Sequence, residues 1–424
     1  MKSAVLAVVL VVVILASAAG GVFAGSSLNS SSKSASTVTQ TQSVTQTVQI
    51  SGSLTLAPQT VTTTAPATTV TSTVSATANN ACTTPSTVTQ ITVGGSGAAN
   101  GVAAAEYVAI ELGFFRQQGL NVTEEYTAAN VMFDNLVSNN LDFAQGSGIL
   151  TPYLAGATNL VALMSEKYAG SSGGGIAVNV ALYKSGTVTK VSELNGMRVG
   201  TQSAPSNPYT IAQLYEKYYK VNYTVIQYAT NALAIAALET GQIAAFVGIS
   251  GQSLQPIVAA GEAVTLVDPN SITPQAWNNI LAANGYTVPA GGYFVTPWVT
   301  NTQMVQQHPA VVQEFVNAIT EGEEWVASHN ATQILNVIYK DPTIAASTQA
   351  SVLQAIDYLV AGQIPTAALT PATWTATSNF AIAGTPELQT PQNQTIIANS
   401  YSALVNPTFY NQGTWCYQES AWNS

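Results

Sequence analysis

Charge is what this chain has least of. Lys, Arg, Asp and Glu together make up 7% of its 424 residues, against about a quarter in an ordinary soluble domain. Uncharged Ser, Thr, Asn and Gln must therefore keep its surface wet, and such a surface, insensitive to salt and pH, points to an exposed and demanding medium. Ten Lys and Arg stand against twenty Asp and Glu, for a formal net charge of -10. That balance excludes nucleic acid and anionic lipid as partners. Histidine and cysteine number two each, and the cysteines, Cys82 and Cys416, lie at opposite ends of the sequence. No His/Cys metal cluster and no Cys–His nucleophile can be assembled from so few. His308 beside Pro309 and His329 in a Ser-His-Asn segment read as surface residues, and Glu323-Glu324 as the solvated face of a helix. Nothing here asks for a cofactor, and the chain is not read as an enzyme.

What is present begins with an apolar run. Residues 1–24 carry Lys2 and then small or apolar residues from Ala4 to Ala24, which reads as a signal peptide or, since the run nears the ~20 residues that span a bilayer, a membrane anchor. No Cys follows closely, so the usual lipoprotein anchor is missing. Residues 25–89 are rich in Ser, Thr and Gln, with Lys33 as their one charge. Such a segment cannot bury a core and reads as a disordered stalk with a reach of roughly 40–50 Å. Sequons at Asn29, Asn121, Asn222, Asn330 and Asn393 fit a glycosylated chain outside the cell. The expected place is the cell surface, tethered to the membrane through anchor or stalk.

From Ile91 to Gly148 the chain shows its plan. Ile91–Val93 is a strand closed by Gly94-Gly95, Val102–Phe115 has helical spacing, and Asn121–Tyr126 is a second strand. A helix from Asn130 to Val137 and a strand from Leu141 to Ala144 follow. Strands alternating with helices predict an α/β fold on a mostly parallel sheet. Further on, Ile176–Tyr183 reads as a strand leaving this unit, Val191–Leu194 opens a second series, and Asn207 as cap with Pro208 in the first turn starts a helix. Leu136–Ala144 and Leu238–Phe246 form a weak internal repeat, each ending a helix and entering a strand followed by small residues. Tyr293–Val299 reads as the strand that crosses back.

Two motif matches have plainer explanations. Gly95, Gly97 and Gly101, with Glu124 or Glu125 one strand later, imitate a dinucleotide fingerprint. Gly170-Ser-Ser172-Gly-Gly174 matches G-x-S-x-G but precedes a strand, whereas a nucleophile elbow needs strand, turn and helix.

Gly113-Phe114-Phe115, Gly119-Leu120-Asn121-Val122 and Asn140-Leu141-Asp142-Phe143-Ala144 resemble the opening lobe of substrate-binding proteins of ABC importers for nitrate, sulfonates, taurine and thiamine-pyrimidine precursors. Asn139 replaces the glycine usual before that last strand, and both residues accept left-handed backbone. Glu193–Gly200 and Gln307–Val312 are similar to later landmarks of the same family. The resemblance spans about Ile91 to Lys340, and it implies a two-lobed, periplasmic-binding-protein-like fold. Lobe one would comprise residues 90–183, lobe two 184–290, and 291–424 would complete lobe one and add C-terminal helices. A small-molecule solute, an ABC permease and its ATPase become the expected partners. A cell-surface structural or sensory protein that retains the fold is the alternative.

Ligands of open parallel sheets bind outside the carboxyl ends of the strands. That rule selects Ser96, Gly97, Ala98, Asn130, Gly146, Ser147, Ser203, Ala204 and Ser250, with Tyr209 and Tyr293 as flat packing surfaces and Trp298 as either core or cleft. No Lys or Arg falls in these loops, so backbone N–H groups would hold a sulfonate, a nitrate-like anion or a pyrimidine-like molecule.

Neither cysteine has a metal-type neighbour, and a disulfide joining Cys82 to Cys416 is expected. Alkylation without reductant, read by mass spectrometry, should leave both residues unmodified, and labelling of both would overturn the pairing.

Overall fold

A computed structural model describes residues 43–46, 61–64, 87–96, 103–170, 174–204, 206–249, 253–268 and 273–413. Two compact units divide the chain, Met1–Thr71 and Ser72–Ser424. In the first, strands β1 (Ser43–Gln46) and β2 (Val61–Thr64) pair antiparallel, with Ser43 opposite Thr64. Composition alone reads this segment as coil; Val and Thr, stiff at χ1, supply the strand preference. The leader, Cys82 and Cys416 lie outside the described residues.

The second unit holds two five-stranded sheets. Sheet one contains β3 (Thr89–Ser96), β4 (Leu120–Thr127), β5 (Phe143–Gln145), β6 (Leu160–Ser165) and β12 (Pro297–Asn301) in the order β4-β3-β5-β12-β6. Sheet two contains β7 (Gly174–Asn179), β8 (Arg198–Gln202), β9 (Thr224–Tyr228), β10 (Ala245–Ile249) and β11 (Ala263–Val267) in the order β9-β8-β10-β7-β11. The two orders are the same design read twice. In each sheet three strands pair in parallel, and a single strand, β12 or β7, runs antiparallel to both neighbours. That strand is always the one arriving from the other sheet, because the chain enters it from the end where its companions finish. The fold is α/β with mixed sheets.

Period-2 alternation distributes side chains to the two faces of sheet one. Ile91, Val93, Phe143 and Trp298 join a core with Phe315 and Val312 of the helix Pro309–Ser328 and with Tyr107 and Val108 of the helix Ala104–Glu111. Phe143 stacks on Phe315 with ring centroids 3.8 Å apart. On the opposite face Ala144, Ala162 and Val299 pack with Met132 and Phe133 of the helix Ala129–Val137. Sheet two repeats the arrangement, Val199 and Val247 meeting Ile211 and Tyr215 of the helix Asn207–Tyr218, and Ala177 and Phe246 meeting Ala234 and Leu238 of the helix Asn231–Glu239.

Several expectations need correction. Ile176–Tyr183 is not one strand: β7 ends at Asn179, whose side chain caps the helix Val180–Lys184. Because β7 is hydrogen-bonded into sheet two, the junction lies before Gly174 rather than at 183/184. The 102–115 helix is two, Ala104–Glu111 and Phe114–Gln117, separated by Gly113 at φ 78°. Val191–Leu194 is a single 3-10 turn before β8, and the cap of the 207–218 helix is Ser206, which accepts from the Tyr209 N–H, rather than Asn207. Tyr293–Thr296 precedes β12 as irregular chain. Asn139 has φ 60°, as its place before β5 requires.

The C-terminal helices are expected to belong mainly to lobe one, and one of them packs on both sheets. In the helix Pro371–Gly384, Trp374, Ala381 and Ile382 enter the core that holds Val295 and Val299. Ala376, Phe380 and Ala383 enter the core of sheet two with Trp277. Phe380 stacks on Phe294 at 3.8 Å and 2°. At its end the helix touches the 207–218 helix so closely that a Cβ on Gly384 would stand 2.3 Å from Thr210 Cα.

Phe380→Ala should therefore lower unfolding free energy by about 3–5 kcal/mol, while Leu233→Ala, at a residue 52% exposed, should stay within about 0.5 kcal/mol. Urea denaturation measures both, and equal losses would show that the shared helix is not a structural brace.

Candidate functional site

Strand ends define the place. Trp298 pairs with Gln145 and Pro297 with Ser165, so the start of β12 lies at the same edge of sheet one as the ends of β5 and β6. Gly174 pairs with Ile249, which puts the start of β7 at the edge where β10 finishes. The chain thus leaves sheet one and enters sheet two at their carboxyl edges. Two crossing segments make the junction, one after Ser165 and one before Pro297. They run side by side: the Glu166 N–H donates to Thr296 O at 3.1 Å and the Gly170 N–H to Phe294 O at 3.0 Å. Tyr183, expected to end the first part of lobe one, is 38% exposed on the helix past β7 and takes no part in the junction.

The junction is filled with rings. Trp277, on the helix Pro274–Ala283, donates through Nε1 to Tyr358 Oη at 3.4 Å, and Tyr358, on the helix Gln349–Ala361, donates onward to Gly170 O. Gly170 itself sits at φ 72°, and a Cβ there would stand 2.3 Å from Trp277 Nε1. A side chain at 170 would have to displace the ring that ties the two halves together.

The sequence-selected residues fall as follows. Ser96 ends β3 opposite Thr127, and Gly146 follows β5 with its N–H on Pro297 O at 3.1 Å. Ser147 opens a 3-10 turn just after Gly146. Asn130 is exposed in the first turn of the 129–137 helix. On sheet two the Ser203 N–H donates to Tyr228 O at 2.9 Å, and the Ala204 N–H to Gln227 Oε1 at 2.9 Å. Gly97, Ala98 and Ser250 lie outside the described residues. Tyr209 is buried at 8% exposure within its helix. Tyr293 lines a groove of about 620 Å³ between the 274–283 helix and residues 285–293, together with Asn278 and Tyr286. Trp298 is core, 1% exposed and edge-on to Phe315.

Donors at this edge differ between the sheets. Helices starting at Asn207, Asn231 and Pro274 are capped by the side chains of Ser206, Thr230 and Thr273, whereas those starting at Ala104 and Ala129 have no side-chain cap. Uncapped first-turn N–H groups are free to meet a ligand. Asp142 serves the fold, since its carboxylate accepts from the Thr92 N–H at 2.7 Å and Thr92 Oγ1 at 3.0 Å and so ties β5 to β3. Lys167 stands at the edge, but its Nζ binds both oxygens of Glu324 at 2.9 Å.

What sequence reading misses is a layer of buried carboxyls. Glu106 is 7%, Glu166 2% and Glu323 3% exposed; of the Glu323-Glu324 pair read as a solvated face, one half is core. Glu106 in AAEYVAIE, flanked by residues that helical spacing buries, is the available signal. Burial pushes Glu124 up to about 7, although a 2.5 Å hydrogen bond from Tyr126 Oη pulls the other way. With Tyr107 also bonded to Tyr126, Glu124 is committed inside the protein, which removes the ribose-binding role a dinucleotide site would give it. His329 stacks on Trp325 at 3.8 Å, and His308 joins two helices on lobe one. Among the described residues no group of three or more His, Cys, Asp and Glu could hold a metal ion, and no helix is long and apolar enough to cross a membrane.

This architecture has known counterparts. The nitrate-binding protein NrtA of Synechocystis PCC 6803 is 14% identical, with a TM-score of 0.56 over 77% of this chain and 88% of its own. The ligand-binding component of an ABC-type import system from Staphylococcus aureus is 14% identical at a TM-score of 0.54, covering 77% and 99%. The alkanesulfonate-binding protein SsuA of Xanthomonas axonopodis pv. citri is 13% identical at 0.52, covering 69% and 91%. Identities this low establish a shared fold, that of solute-binding proteins of ABC import systems. No curated protein matches the chain. The family model described as NMT1/THI5 like matches residues 100–332, more than half of the sequence, and the chain belongs to that family.

Proposed function

We propose that this protein captures a small solute between its two sheets outside the cell and delivers it to an ABC permease and ATPase. The observation that supports this reading is the junction: two sheets of matching strand order are joined at their carboxyl edges by a pair of crossing segments. A solute touching the strand-end loops of both sheets favours the closed arrangement by its differential contacts. The leader or anchor, the glycosylated stalk and the Cys82–Cys416 bond belong to the same reading, as parts that keep the binding unit beside its membrane partner.

The groups at the edge are backbone N–H donors, Ser96, Asn130, Ser203 and neighbouring small residues. With Lys167 committed to Glu324, a sulfonate or nitrate-like anion would be held by helix starts, and a pyrimidine-like molecule by the same donors with a tyrosine face. Binding rather than catalysis is proposed, since solved relatives of this fold named above are binding proteins.

A thermal-shift panel of alkanesulfonates, nitrate, aminopyrimidines and amino acids tests the function. A true solute at a hundredfold excess over its Kd stabilises the protein by about 2.7 kcal/mol, raising Tm by several degrees. Silence across sulfonates, nitrate, pyrimidines and amino acids would instead favour a structural or sensory surface protein that kept the fold.

A further inference from the structure

Glu166 and Glu323 are both buried where the crossing segments leave sheet one. Glu166 follows β6 directly. Its backbone N–H makes the first rung between the two segments, at Thr296 O, and one carboxyl oxygen accepts from Gln145 Nε2. Tyr168 also hydrogen-bonds this carboxyl, while Glu323 Oε1, Thr296 Oγ1 and Trp298 Nε1 are buried without a hydrogen-bond partner. Glu323 comes from the 309–328 helix and receives a hydrogen bond from the backbone of Lys167. Glu106 of the 104–111 helix, Tyr168 of the same crossing segment and Tyr358 of the 349–361 helix also act on this pair. The cation among these groups, Lys167, has its Nζ held by Glu324. Two ionised carboxylates here would be dry, mutually repelling and short of a counter-ion.

We propose that Glu166 and Glu323 form a proton-holding site at the root of the crossing segments, so that the junction between the sheets loosens as the pair gives up its protons. Burial pushes Glu323 up to about 8 and Glu166 well above the ordinary 4.5. The neighbouring carboxylates add to the shift on Glu166, and Lys167 moderates it on Glu323. An acid whose pKa is raised on folding binds its proton more tightly in the folded state. Its contribution is therefore complete below about 4.5 and is lost as pH climbs through the folded value. For Glu323 the window runs from about 4.5 to 8, and the junction is built for an acidic medium. This inference is independent of which solute is carried.

Hydrogen exchange of the Glu166 and Gly170 amides, which span the segments, reads the effect in the full chain. Corrected for intrinsic chemistry, their opening constant should rise between pH 5 and pH 8 by about tenfold per pH unit for each proton released. Glu166→Gln combined with Glu323→Gln keeps the shape and hydrogen-bonding capacity of the protonated pair and should flatten that dependence. A flat profile in the unmodified chain, or an unchanged slope in the double variant, would overturn the proposal. Should the double variant fail to fold, infrared spectroscopy of the unmodified chain at pH 7 decides: a protonated-carboxyl stretch shielded from solvent exchange supports the site, and its absence refutes it.

Discussion

The structure depends on one constraint, the side-by-side run of two short segments between the sheets. The hydrogen bonds from Glu166 and Gly170 to Thr296 and Phe294 are few, and alone they would be worth a few kcal/mol at most. What fixes them is the company they keep. Phe294 lies against Phe380 and Trp277, Trp277 reaches Tyr358, and Tyr358 closes on Gly170. Aromatic burial of this kind supplies energy, and the hydrogen bonds supply direction. Both sheets inherit their relative register from this cluster, because β6, β7 and β12 each begin or end in it.

Much of this is legible in the residues, for reasons that differ by region. The alternation of short apolar runs with helical spacing between Ile91 and Ala144 reveals βαβ order, since a parallel strand can be reached only through a crossover. The repeat between Leu136–Ala144 and Leu238–Phe246 reflects β5 and β10 occupying the same position in their sheets. Ile176–Tyr183 misleads because an apolar run does not announce where a strand stops; Asn179 does, as a helix cap. The 371–384 helix reads as part of one lobe because its apolar residues encircle it, so periodicity cannot reveal that it faces two cores.

The buried carboxyls show a different limit. On a helix such as Pro309–Ser328, Glu323 and Glu324 differ by about 100° of rotation, and this alone sends one into the core and the other to Lys167. A sequence with so few cations leaves its acids without obvious partners, and the low charge content read as a surface property proves also to be an interior one. Glu106, Glu124, Glu166 and Glu323 are all withdrawn from water to some degree. That raises their affinity for protons and lowers the negative charge the protein shows at neutral pH below the formal value.

The shared helix has a bearing on biogenesis. Sheet two can be threaded as soon as residue 267 has been made, yet Ala376, Phe380 and Ala383, which finish its core, are synthesised more than a hundred residues later. Sheet one likewise waits for β12 before β5 and β6 can be bridged. Neither half can mature while the other is being made, so the nascent polypeptide must remain uncommitted until its last quarter emerges. Long sequence separation of this order slows folding and leaves strand edges unprotected in the meantime, which places the demand for chaperoning on the whole chain rather than on either half.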